Sequence, residues 1–333
     1  MIGYYVHHQG RGHLHRALAI AEHCAHPVTV LSSLACPGHW PGAWVRLPRD
    51  DTPSQATDPT AHGRLHWVPV HHPGLRTRMA AVAGWIEQHR PEVVITDVSV
   101  EVTLLARLLG VPVVVAAMRG ERRDPAHELG YDLAEALLAP WPATLPEPGW
   151  PDHWNAKTVW TGGFSRFDHR PHADAHLPHT VLLMLGAGGH GITDRQIEAA
   201  RRATPAWQWT VLGGPDGWTS DPWPLLTSAE VIVTHAGQNA VAECAAARRP
   251  TIVLPQDRPF GEQHATARAL HRAGLATVLP GGWPDPDRWP ALLAETAVHD
   301  GRRWSHYSPG DGAERAARAL DHLAAAHGRP LPA

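Results

Sequence analysis

The chain has 333 residues, 43% of them hydrophobic, which is enough for two cores of ordinary size. A formal net charge of −3 gives no electrostatic case for nucleic acid, and no run approaches the ~20 apolar residues of a membrane span. Three cysteines, Cys24, Cys36 and Cys244, form no paired pattern, so a reducing cytoplasm is the expected compartment.

Ile2 to Val6 reads as a strand, with no basic or long apolar leader before it, so no signal peptide is expected. HHQGRGH follows, with Gly10 and Gly12 spaced for a tight turn. Leu14, Leu18 and Ala21 then carry helical spacing to about Cys24, and Val28 to Leu31 is a second strand. Such a βαβ opening begins a Rossmann-like half. The glycines do not form G-x-G-x-x-G, which leaves a dinucleotide cofactor unsupported. Twenty-six histidines invite a metal. However, His7, His8, His13 and His15 flank a loop without Cys or carboxylate partners, so no metal site is expected.

Residues 34–63 are rich in Pro, Gly, Asp and Thr and read as a long loop. Leu65 to Val70 is a strand candidate, and Leu75 to His89 a helix stopped before Pro91. Val93 to Thr96 is an apolar strand ending at Asp97. Val102 to Leu109 is a helix, Val113 to Ala117 a strand, 119–131 a charged loop and Asp132 to Leu138 a helix. Apolar strands alternating with helices predict a parallel sheet covered on both faces.

Residues 140–156, with five prolines and three tryptophans, begin the crossing between halves, and Thr158 to Trp160 closes the first domain. The pattern then restarts. Val181 to Leu185 is a strand, GAGGHG a glycine-rich loop holding Gly186, Gly188 and Gly189, Thr193 to Ala203 a helix, and Trp207 to Leu212 a strand. The expected organisation is a first domain over 1–162, a linker over 163–178, a second domain over 179–311 and a final helical segment over 312–333.

The most informative stretch runs from Val231 to Gln263. Val231 to Thr234 is a buried strand, HAGQN a turn, and Asn239 the expected N-cap of a helix reaching about Arg248. TIVLP is a second strand, and DRPFGEQ a loop into the next helix. Strand, small-residue turn and helix N-terminus make an anion site, because the first-turn N–H groups point outward and the helix dipole favours negative charge. Glu243 lies one turn behind Asn239, placed to accept hydrogen bonds from a sugar diol.

HAGQNAVAE resembles the donor signature of UDP-dependent glycosyltransferases, H-C-G-W-N-S-x-x-E in its plant form. Glu262 and Gln263 resemble the acid–Gln pair that closes that signature. The segment is also similar to the C-terminal half of the transferase that adds N-acetylglucosamine to the peptidoglycan lipid precursor. The loop ending at His13 resembles the glycine-rich first loop of the same enzymes. The resemblance implies an α/β fold of GT-B type, two Rossmann-like domains facing across a cleft, with the last helix crossing back to the first. It implies that His235 and Asn239 touch the diphosphate, Glu243 the ribose and Gln263 the donor sugar, with Ala236, Gly237, Gln238 and Glu262 in the same site. Gly12, Gly188 and Gly189 join them as loop positions that bring backbone N–H groups to phosphate. Ala240 stands where the family has Ser.

Transfer of a glycosyl group needs a base for the acceptor hydroxyl. His13 ends the first βα loop, at the sheet edge where open α/β folds keep their sites, and its ordinary pKa suits proton abstraction at neutral pH. Asp97 ends a strand on the same edge and is placed either to orient His13 or to cap the helix that follows. The expected partners are a UDP- or TDP-sugar and an acceptor hydroxyl on a small or lipid-linked molecule. No nucleic acid and no cofactor are expected, and at most a peripheral membrane contact. An epimerase or hydrolase of the same fold, or a sugar-nucleotide sensor that lacks catalysis, are the alternatives.

Overall fold

A computed structural model of the chain describes residues 1–9, 12–51, 56–172, 175–186, 191–213 and 217–328. Its first half holds β1 (Ile2–Val6), α1 (Gly12–Ala21), β2 (Val28–Ser32), β3 (Ala43–Arg46), α2 (Pro73–His89), β4 (Val93–Asp97), α3 (Val100–Leu108), β5 (Val113–Ala116), α4 (Pro125–Leu133), β6 (Ala136–Ala139), α5 (Asp152–Ala156) and β7 (Thr158–Trp160). The strands form one parallel sheet in the order β3-β2-β1-β4-β5-β6-β7. The chain builds outward from β1 to β3, then returns to the other side of β1 for β4. Loops leaving β1 and β4 diverge there and open a crevice.

The second half holds β8 (Thr180–Met184), α6 (Asp194–Ala203), β9 (Gln208–Leu212), α7 (Trp223–Ser228), β10 (Val231–Thr234), α8 (Gln238–Ala247), β11 (Thr251–Val253), α9 (Glu262–Arg272), β12 (Thr277–Val278), α10 (Trp289–Ala297) and α11 (Gly312–His327). This sheet is also parallel, in the order β12-β11-β10-β8-β9, with its reversal between β8 and β10. The central strands are buried on both faces, which is why β4 and β10 are apolar almost throughout.

The last helix, α11, packs on the first sheet. Ala316, Ala317, Leu320 and Ala324 share a core with Ile2, Tyr4 and Ile20. Small residues on this face let α11 lie close to α1 and β4. Asp321 fixes its position by accepting from the backbone N–H groups of Ala25 and His26.

Several local expectations are corrected. The loop 34–63 contains β3, an edge strand too short and too exposed to show alternation. Leu65–Val70 is not a strand; among the described residues it has only an isolated bridge from Val70 to Thr57 and turn bonds to Pro59 and Thr60. Its backbone is otherwise engaged, since Glu101 accepts from the N–H groups of His66 and Trp67 and Pro69 has none to give. The charged loop 119–131 holds the start of α4, capped by Asp124. The Ala- and Leu-rich run expected to be helical at Asp132–Leu138 ends instead in β6, where burial at the sheet interior overrides helix propensity. The tryptophans of 140–156 serve the first domain. Trp150 and Trp154 pack edge-on against Tyr131, and Trp141 against Trp150.

Candidate functional site

Asp97 is fully buried at the carboxyl end of β4. It does not cap α3; Ser99 does, accepting from the Val102 N–H. Val98 between them has a φ of 64°, a left-handed conformation that a β-branched residue adopts only under constraint. The turn sends the chain into α3 and leaves the Asp97 carboxylate facing α1. There Oδ1 lies 2.8 Å from His13 Nδ1. With Nδ1 held by a carboxylate, the proton sits on Nδ1 and Nε2 is left as the basic nitrogen. Burial pushes the Asp97 carboxyl up, but Arg16 and His13 beside it outweigh burial and hold it below the usual carboxylate range.

A cavity of about 340 Å³ opens near the carboxyl ends of β1 and β5; His13 is not part of its lining. Its lining includes Tyr5, Trp67, Leu75, Met79, Met118 and Tyr131, and His7 stands between cavity and base, its ring 6.2 Å from that of His13. Burial and the neighbouring His8 and His13 lower the His7 pKa to about 4, so His7 is uncharged at neutral pH, while Asp50, Asp51 and Glu101 also line the cavity.

Across the cleft, α8 begins at Gln238, and its N-cap is Gly237 rather than the expected Asn239. The turn is set by His235, whose Nδ1 accepts from the Gly237 N–H at 2.9 Å. Among the described residues no side chain caps the helix, which leaves its first-turn N–H groups open to the cleft. Asn239 instead donates to the Gly12 carbonyl of the other domain at 3.3 Å. Gly186 makes room for His235, since a Cβ there would fall 2.6 Å from Nε2. Ala236 is buried, and its N–H donates to Gln263 Oε1, which also accepts from the Gln256 N–H. Gln263 thus ties the HAGQN turn to the loop after β11, keeping its amide nitrogen for another partner.

Glu243 accepts from Nε of Arg166, which lies between β7 and β8, at 3.0 Å, in a small cleft that also takes in Arg16, Gln238 and Asn239. Burial raises the Glu243 carboxyl and Arg166 opposes it. Glu262 opens α9 with a carboxylate oxygen 3.9 Å from Arg122 Nη2, and burial raises its carboxyl as well. Gly188 and Gly189 lie outside the described residues.

One residue that sequence reasoning passed over stands at the centre. Arg16, one turn beyond His13, is 5% exposed. Its Nη1 is 3.4 Å from Asp97 Oδ1 and its Nη2 donates to Gln238 Oε1 at 2.7 Å. The available signal was an arginine next to Ala17 and one turn before Ile20, on the buried side of α1.

Among the described residues two groups have metal-ligand atoms close together: His66, Asp124 and His127, and His8, Asp50 and Asp51. Both already have bonding partners. Asp124 accepts from the His127 ring and its backbone N–H and meets His66, while Arg122 faces the other His127 nitrogen. Asp50 pairs with Arg78, and Asp51 with Arg49 and His8.

Residues 221–285, which span the HAGQN turn, α8 and the acid–Gln pair, match the Glycosyltransferase family 28 C-terminal domain. An uncharacterised glycosyltransferase of Methanopyrus kandleri is 25% identical over 273 residues, covering 71% of this chain and 76% of that one. The chain is a glycosyltransferase of the GT-B fold. The fold is shared with the glycosyltransferase of kitacinnamycin, at a TM-score of 0.67 and 20% identity over 98% of this chain and 97% of that one. It is shared too with a Phytolacca americana enzyme solved with UDP-2-fluoroglucose and pterostilbene, at a TM-score of 0.61 and 18% identity over 96% and 93%. In this glycosyltransferase none of the described helices is long and apolar enough to cross a membrane.

Proposed function

We propose that this glycosyltransferase moves a sugar from a nucleoside diphosphate donor to a hydroxyl of a compact, largely apolar acceptor, with His13 as base and no metal. The observation that carries the proposal is the His13–Asp97 pair, 2.8 Å apart, set opposite the uncapped N-terminus of α8. His13 Nε2 takes the acceptor proton as the acceptor oxygen attacks the anomeric carbon. The bond to the diphosphate breaks, and its new negative charge meets the α8 N–H groups and the helix dipole. Asp97 keeps the proton on Nδ1 and stabilises the imidazolium that forms.

Donor positions follow the same geometry. Gly12, Gly237, Gln238 and Asn239 surround the expected diphosphate position, with His235 and Ala236 forming the turn beside it. Glu243 is assigned to the ribose hydroxyls, exchanging Arg166 for them. Gln263 is assigned to the sugar through its amide nitrogen, with Glu262 next to it. A mostly apolar cavity of about 340 Å³ suits a small acceptor rather than a polymer.

UDP- and TDP-sugars should raise the melting temperature of the purified protein, since a ligand at 100 times its Kd adds roughly 2.7 kcal/mol. The stabilising donor, incubated with hydroxylated aromatic and polycyclic acceptors, should yield a glycoside. Free sugar or an epimer formed without acceptor would point to the hydrolase or epimerase instead. Binding without turnover would point to a sensor.

A further inference from the structure

Arg16 is a buried cation whose hydrogen bonding is incomplete. Nη2 reaches Gln238 Oε1, but Nε and Nη1 are buried and, among the described residues, have no hydrogen-bond partner; the 3.4 Å approach of Nη1 to Asp97 is a charge contact only. A guanidinium offers five N–H donors in a rigid planar fork. Leaving several unmet inside a protein is unfavourable unless a ligand takes them.

Its surroundings say which ligand. The guanidinium stands between a carboxylate of the first domain and the first residue of α8 in the second. The first-turn N–H groups of α8 converge on the same narrow cleft, which Arg16, Gln238 and Asn239 line. A planar fork beside a helix N-terminus fits the oxygens of a phosphate. Asp97 alone does not use the fork, since it is engaged at 2.8 Å with His13.

We infer that Arg16 is a ligand for the donor's diphosphate, supplied by the domain opposite the one that holds the rest of the donor. This rests on the proposed nucleotide-sugar donor and adds to it a residue of α1. Arg16 already meets Gln238 at the N-terminus of α8, so the diphosphate would be gripped from both sides of the cleft, by α1 and by α8.

The test is calorimetric titration of UDP, UMP, TDP and TMP into the wild type, Arg16→Met and Arg16→Lys. Arg16→Met should weaken diphosphate binding by about 10- to 100-fold, the range for charge-assisted hydrogen bonds, and monophosphate binding much less. Arg16→Lys keeps the charge and the fold but not the planar fork, so it should recover part of the loss. If Arg16→Met does not fold, Arg16→Lys alone still decides. A folded variant with the wild-type preference for diphosphate over monophosphate overturns the assignment of Arg16 and leaves the donor proposal standing. A wild type that binds neither UDP nor TDP overturns both.

Discussion

Asn239 Nδ2 and the carbonyl oxygen of Gly12 lie 3.3 Å apart, joining the first turn of α8 to the first residue of α1 across the cleft. A Cβ at residue 12 would sit 3.3 Å from that Nδ2, a tight contact that Asn239 relieves by shifting a few tenths of an ångström, and a larger side chain would press further. Gly12→Val should therefore push Asn239 and the start of α8 away from His13. A displacement near 1 Å at a reacting centre can lower the rate by about 100-fold. The expected outcome is a fall in kcat/KM of that order with a melting temperature within a few degrees of the wild type. Loss of activity only in proportion to loss of folded protein would contradict it.

Glu243 holds Arg166 in this structure and is expected to release it to a ribose. Glu243→Ala should weaken UDP or TDP binding by about 1.5–3 kcal/mol, the range for hydrogen bonds to a charged group. Titration calorimetry on the folded variant checks this, and unchanged affinity for both nucleotides would end the ribose assignment.

Metal independence is expected from the donor end of the cleft. The α8 N-terminus supplies positive potential, and no Asp-x-Asp pair lies near HAGQNAVAE. Turnover should persist in EDTA. Activity lost in EDTA and restored by Mg²⁺ or Mn²⁺ would contradict this, and would direct attention to the His66–Asp124–His127 and His8–Asp50–Asp51 groups.

Stability should fall with acidification. Burial lowers His7 and His127 from 6.5 to about 4, against the pull of Asp124 on His127. Between those values the unfolded chain binds protons that the folded chain does not, so their contribution is present above pH 6.5 and lost as pH falls towards 4. Asp168 acts oppositely: burial raises it from 3.8 to about 6, so its folded carboxyl is protonated first and that group favours folding as pH falls. Burial raises Glu243 and Glu262 as well, so these carboxyls act with Asp168 and temper the fall set by the two histidines. Thermal melts from pH 7 to pH 4 should show a falling melting temperature. His127→Gln should flatten the fall, and Asp168→Asn should steepen it while raising the melting temperature at pH 7. A wild-type curve flat across that window would refute the account.

The central pieces of this site are legible in the sequence because each is carried by a local pattern. Val231–Thr234 is too apolar to be anything but a buried strand, and a turn of small residues must then lead into a helix. Asp97 shows itself as a carboxylate ending another such strand. The pairing of Asp97 with His13 is not local: it joins residues 84 positions apart, through the order of strands in the first sheet. Arg16 is hidden for the same reason, since its partners come from β4 and from α8 in the other domain. Asn239 has the side chain of a cap, yet the His235 ring receives the Gly237 N–H and the helix starts two residues earlier than its pattern suggests. The run ending in β6 carries alanines and leucines that favour a helix, and only its place between β5 and β7 makes it a strand.

The most direct test of the proposed mechanism is the turnover of His13→Ala with saturating donor and acceptor. Removing a general base lowers the rate by about 10²–10⁴-fold. The variant should show that loss in kcat, with nearly intact affinity for UDP or TDP and an intact fold. Asp97→Asn should lose less, and the double variant little more than His13→Ala, because the two residues act as a unit. A folded His13→Ala enzyme with wild-type kcat would contradict the account.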